Sequence, residues 1–436
     1  MNPARRRTAG TVNRAAPYRR QIGLLAAAVL VASCAPAVER DDTRRHYVFG
    51  TLQTMAEKAP LERSKGIEVA HLQIFWDRYE TREGHFSSRY RDGVRRSLER
   101  LQRAGSLVEV SLGLHHAPGW LFDAYPEAAY ADQDGNRLTD APNMVFSQTV
   151  REKAQRYVAR VNRDLGLDNF WAIRVGVSGT GEFGYPSGGG NNSYWAFDAN
   201  AQSPSRADRP PGTPANPYPG WRPGQRNYRG TEFTEAQVRA WYDWYLRALS
   251  GAVNWQIEYY RSLRYQGFLK VLLAGSGYYP RDYRRAVEQR LDASAGNRLV
   301  ALGVGFFRTV GQIRARHNVQ IVPTSLVDGT GVPRNNGCSP EDREVDVLSP
   351  PERVHGQWSS MRWVSRVARQ HGFALLNGES AGTQVSPYHP GVMSTAARQM
   401  ETCGLRGLMW AFDSNLYDGT PGSSLADYSA VISRYH

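Results

Sequence analysis

Between residues 46 and 415, short apolar runs recur along the chain and polar, helix-patterned segments fill the intervals. Eight such runs predict strands, at residues 46–53, 67–76, 107–116, 170–179, 269–278, 318–326, 372–381 and 404–415. Residues 87–105 place apolar side chains at helical spacing and end in Gly105, and residues 147–166 open on Ser147, a suitable N-cap. Helical patterning returns at 234–264, 281–293, 300–316, 354–370 and 391–403, with a last helix near the C terminus. Eight alternations of strand and helix predict an α/β fold, the (β/α)8 or TIM barrel, as a single domain with long loop insertions. Residues 183–233, rich in Gly, Pro, Asn and Ser, read as an irregular insertion after the fourth strand. Within it, "NNSYWAFD" and Trp221 are expected to form one wall of a cleft.

The N-terminal segment has a different pattern. Six arginines precede an apolar run, "IGLLAAAVLVA", that is too short to span a bilayer comfortably. "LVASC" then resembles a bacterial lipobox, so residues 1–34 are expected to be a signal peptide, with lipid attached to Cys34. A charged tether, 35–45, would follow. An ordinary signal peptide or an uncleaved anchor is the alternative. On this reading the protein is exported, as a cell-surface lipoprotein or a secreted protein. The leader holds no acid, so of a formal net charge of +13 only seven charges would remain on the mature chain. Four lysines accompany 50 dispersed arginines, and no basic arm of nucleic-acid-binding geometry is present. Beyond Cys34 only Cys338 and Cys403 remain, enough for one disulfide outside the cell and a poor zinc set.

Barrel enzymes work at the C-terminal ends of their strands, and the candidate chemistry gathers there. "GVSGTGEFGYPSGGG" sets one acid, Glu182, among glycines at the end of strand four, and "LLNGESAG" sets Glu379 at the end of strand seven. Two carboxylates facing each other across a barrel meet the needs of glycoside hydrolysis. One donates a proton to the leaving oxygen, and the other attacks or activates water. The glycines would let the chain turn sharply and leave room for substrate. His115 and His116 end strand three ahead of Pro118 and Trp120, and are expected to contact sugar hydroxyls. Trp76, Trp120, Tyr185 and Trp410 are candidate sugar-stacking aromatics, Asp413 is a further contact, and Glu80 reads as a structural clamp. This chemistry needs no cofactor and no metal, and no HExxH or Asp-rich run accompanies the histidines. Ser178 lacks a nucleophile elbow, and no Rossmann or phosphate-loop glycine pattern occurs. A barrel that binds glycans without cleaving them is the second reading.

These motifs carry a resemblance. "VGVSGTGEFGYPSG" resembles the strand-four segment of β-amylases (glycoside hydrolase family 14), and "LLNGESAG" resembles the segment holding their general base. "APGWLFDAYPEAAYADQDGNR" resembles a run in family 42 β-galactosidases, and "FWDRYETREGHF" is similar to a strand-two pattern in both. The resemblance implies a barrel glycosidase with Glu182 as acid and Glu379 as base or nucleophile, and it favours inversion over retention. Two departures stand out. Gly181 occupies the place before the acid where the clan that includes family 42 normally has asparagine. The segment after His115 also lacks the aspartate-bearing glycine loop of β-amylases, with only Asp123 nearby. Neither starch nor β-galactoside specificity follows.

Overall fold

The computed structural model describes residues 46–436 except 189–191, 204, 206, 315 and 374–376. The leader, Cys34 and the tether therefore lie outside the described residues.

All eight expected strands form: β1 (Val48–Thr51), β2 (Val69–Gln73), β3 (Leu107–Ser111), β4 (Ala172–Val175), β5 (Phe268–Leu273), β6 (Val319–Pro323), β7 (Gly378–Glu379) and β8 (Gly407–Trp410). They pair in parallel in sequence order, β8 returns to β1, and the β1–β8 register sets Thr51 opposite Trp410. Closure between β6 and β7 is made just beyond β6, where Leu326 N–H donates to the Glu379 carbonyl and Ala381 N–H to that of Leu326. The chain is a (β/α)8 barrel.

The helices answer the periodicity. The connections contain α1 (Ala59–Ser64), α2 (Ser88–Arg103), α3 (Gln148–Leu165), α4 (Glu235–Ser262), α5 (Pro280–Glu288), α6 (Ser360–Gln370), α7 (Val392–Thr402) and, after β8, α8 (Leu425–Ile432). Ser147 caps α3 by accepting from Val150 N–H, and Thr234 closes a capping box with Gln237 on α4. The helix expected over 300–316 is broken into short turns (Arg298–Ala301, Phe306–Thr309 and Val310–Gln312). Gly303, at φ +68°, interrupts it where helical dihedrals would be required.

No described residue of the insertion after β4 lines the site. Trp221 stacks on Phe233 at 4.3 Å and meets Trp241 of α4 at 5.3 Å, and the Trp195 backbone N–H donates to the Tyr245 hydroxyl of the same helix. The segment buries its aromatics against α4, and that contact outweighs what the same rings would gain in a wet cleft. Cys338 and Cys403 form a disulfide that ties the loop after β6 to the end of α7.

Candidate active site

Beyond β4 the backbone folds back on itself. Val177 N–H and Ser178 N–H both donate to the Glu182 carbonyl, and the Ser178 hydroxyl accepts from Glu182 N–H at 3.0 Å. A Cβ on Gly176 would lie 1.9 Å from the Gly181 carbonyl oxygen, so this reversal needs glycine there. Gly181 sits at φ +79°, and a Cβ on it would meet the His115 ring at 2.9 Å. Any side chain at this position would strain the backbone and push against that histidine, so the departure from asparagine has a local cause.

The reversal presents Glu182 to a cavity of about 720 Å3, and Glu379 lines the same cavity from β7. His115, His116, Gln73 and Thr324 add polar groups to its wall, while Phe412 is the one Phe, Tyr or Trp among the described residues that line it. The two carboxylates have opposite surroundings. Glu182 is partly exposed, and its carboxyl accepts from two hydroxyls, Thr324 to Oε1 at 3.0 Å and Thr180 to Oε2 at 2.9 Å. Glu379 is buried, and both its oxygens accept from Arg174, at 2.7 and 3.0 Å. Arg174 reaches on to Glu109 Oε1 at 2.9 Å, and Lys270 neutralises Glu109 Oε2. Two acids and two bases are thus interleaved on β3, β4, β5 and β7.

The electrostatics follow from this packing. Burial pushes the Glu379 carboxyl above the usual carboxylate range, and Arg174 opposes it. Burial would also raise Glu109, but Lys270 and Arg174 together hold it down at about 2. His115 is lowered to about 3 by burial, then by His116 and Arg174, and His71 to about 3 by burial and Arg174. Both imidazoles are therefore neutral and offer one donor and one acceptor each. Among the described residues, no three His, Cys, Asp or Glu side chains gather as a metal site.

The cavity brings together Glu182, Glu379, His115 and His116 from the residues singled out in the sequence. The structure places the other five elsewhere. Trp76 is fully buried, stacked on Tyr157 at 5.3 Å, with its N–H on Glu80. Trp120 donates to the Glu80 carbonyl, and Tyr185 stacks on Tyr245 at 4.1 Å. Trp410 donates to Ser423 from within the core. Asp413 is buried and accepts from Met55 N–H at 2.8 Å. In each case a ring or carboxylate near a strand end has turned into the packing between barrel and helices. Glu80 is the clamp its context suggested, holding Trp76, Gly84 N–H and Arg156.

Arg174, Glu109 and Lys270 were not singled out in the sequence. The available signal was a single charge inside an otherwise apolar strand, as in "LVEVS", "AIRV" and "FLKVLL". Such a charge is buried by its neighbours and must find a partner.

Comparison with known proteins agrees with the barrel fold. A β-galactosidase family model, glycoside hydrolase family 42, matches residues 50–169. No curated protein matches the chain in sequence. Among solved structures, the catalytic domain of β-amylase from Paenibacillus polymyxa superposes with a TM-score of 0.59 at 14% identity, covering 90% of this chain and 99% of that one. β-Galactosidase from Marinomonas ef1 gives 0.52 at 12% identity, with 88% of this chain covered, and that from Halorubrum lacusprofundi 0.51 at 14%, with 89%. The chain spans only 59% and 58% of those two β-galactosidases. It is thus similar in sequence to family 42 β-galactosidases over residues 50–169, and it shares its barrel with them and with a β-amylase.

Proposed function

We propose that this chain is a glycoside hydrolase that cleaves a poly- or oligosaccharide with Glu182 as proton donor and Glu379 as the ionised partner. One observation carries the reading: two glutamates from the ends of β4 and β7 line one cavity.

The roles are assigned by what each carboxyl touches. Arginine can only donate, so Arg174 bonded to both oxygens favours the ionised form of Glu379 against the pull of burial. Each oxygen keeps a lone pair free for a water or a sugar carbon. Hydroxyls both donate and accept, so Thr180 and Thr324 accommodate Glu182 with or without its proton. A general acid that cycles between the two states needs partners of this kind. In the inverting course favoured by the sequence around Glu182, Glu379 takes a proton from the attacking water as Glu182 protonates the leaving oxygen. In a retaining course Glu379 would attack the sugar itself. The neutral His115 and His116 are suited to sugar hydroxyls. We further propose export through the N-terminal leader with lipid on Cys34, which the Cys338–Cys403 disulfide suits.

The test is hydrolysis of a glycan panel by the chain and its Glu182→Gln and Glu379→Gln variants, with the released anomer followed by NMR. Cleavage abolished by either change, with the anomer inverted, is the expected result. Glycan binding without cleavage by any form would make the barrel a binding protein.

A further inference from the structure

A second groove, of about 830 Å3, opens beside the glutamate cavity between the loops after β6 and β7. Thr330 lines both spaces, so the two adjoin along residues 328–330. The groove's framework is fastened on several sides. The disulfide pins Cys338 to the end of α7, and the Asn336 carbonyl accepts from both Ser359 and Gln399. Gln399 also accepts from Val327 N–H.

Among the described residues, the lining of this groove contains three arginines and no carboxylate. Arg362 is already paired, held by Asp342 through three contacts of 2.6 to 3.1 Å. Arg334 and Arg398 have no acidic partner among the described residues, and Arg398 donates only to the Thr395 hydroxyl at 3.2 Å. Asn335, Ser339, Ser386 and Thr402 add hydroxyl and amide groups to a wall that also holds Val327, Val332, Pro333, Pro387 and Val392. The glutamate cavity is different: its buried cations are matched by Glu109 and Glu379. Free guanidinium groups among hydroxyls and amides present planar forks for a carboxylate or sulfate on a sugar.

We infer that this groove is a subsite for an acidic glycan, with Arg334 and Arg398 recognising a uronate carboxylate or a sulfate on the chain that extends from the glutamate pair. The inference rests on the hydrolase reading for its orientation toward Glu182 and Glu379. The groove itself can be tested without turnover.

The full chain carrying Glu182→Gln is titrated calorimetrically with an oligogalacturonate, a heparin-derived oligosaccharide and a neutral galacto-oligosaccharide of equal length, at low and moderate salt. An acidic probe should bind at least about tenfold tighter than the neutral one, and more weakly as salt rises. Binding of the oligogalacturonate, which carries only carboxylates, identifies carboxylate recognition, and binding of the heparin oligosaccharide without it identifies sulfate. Arg334→Gln with Arg398→Gln should remove about tenfold or more of that affinity. Arg89→Gln with Arg96→Gln deletes the same charge from the exposed face of α2 and should change it by less than about twofold. No acidic preference, no binding of either acidic probe, or equal losses in the two double variants would overturn the subsite. Hydrolysis assays on the unmutated chain separate the two readings. Arginine-dependent acidic binding without cleavage of any glycan defeats the hydrolase and keeps the subsite. Cleavage confined to neutral glycans does the reverse.

Discussion

Replacing Arg174 tests how Glu379 is held in its working state. Arg174→Met deletes three charge-assisted hydrogen bonds, two to Glu379 at 2.7 and 3.0 Å and one to Glu109 at 2.9 Å. Opening a buried pair in this way costs about 3–5 kcal/mol of stability, and Lys270 remains to hold Glu109. The effect on Glu379 has a definite sign. Burial already raises its carboxyl, and Arg174 is the group that favours the ionised form. Two such bonds at about 1.5–3 kcal/mol each, discounted for water entering the gap, correspond to an upward movement of about 1–2 pH units. On the proposed mechanism Glu379 works ionised, so the acidic limb of the pH–rate profile moves to higher pH by that amount. Activity at pH 5 falls by about 10–100-fold and recovers in part at pH 8. Arg174→Lys keeps the charge but loses the fork, so its limb moves less while kcat still drops. The assay is kcat/KM from pH 4 to 9 on variants whose folding is checked by circular dichroism. A folded Met variant with an unmoved acidic limb would refute the reasoning, as would a loss equal at every pH.

Other expectations follow from single contacts. Glu62 is pushed up to about 8 by burial and by the adjacent Asp413 carboxyl, so the folded chain keeps a proton that the unfolded chain releases above about 4.5. Stability from this pair is present at low pH and lost as pH rises through that window, by on the order of 3 kcal/mol. Asp413→Asn should flatten the trend and raise Tm at pH 8, as melting curves at pH 5 and 8 will show. Trp76→Phe removes the indole bond to Glu80 and packing against Tyr157. It should lower stability by about 1–3 kcal/mol in urea titrations with KM unchanged, because the ring does not touch the cavity. Gly181→Asn forces a Cβ against His115 at 2.9 Å. It should cost about 1–2 kcal/mol and reduce kcat.

The features legible in the sequence were those carried by local pattern. The eight apolar runs marked the eight strands, Ser147 marked a helix start, and paired Gly–Glu strand ends pointed to one cavity. The charged quartet was only half legible. A lone charge in "AIRV" or "LVEVS" announces burial, but its partner depends on strand register, which sets Lys270 beside Arg174 and Glu109 beside Ala172. No local pattern encodes that alignment. The aromatics were misplaced for a related reason. A tryptophan at a strand end looks the same in sequence whether it turns to the cavity or to the helices, and Trp76 and Trp410 both turned to the packing. The wide insertion likewise hid its packing partner, because Trp241 and Tyr245 lie on a helix that begins only after it ends.

The central claim is the division of labour between two glutamates, and leaving-group dependence probes it most directly. Glu182→Ala and Glu379→Ala are compared on a dinitrophenyl glycoside, whose leaving group needs no proton, and on the corresponding unactivated glycan. A general acid contributes about 10²–10⁴-fold. The Glu182 variant should lose that factor on the glycan and keep most of its rate on the activated glycoside, while the Glu379 variant loses both. Equal losses on both substrates for Glu182→Ala, or survival of the activated substrate in Glu379→Ala, would contradict the assignment.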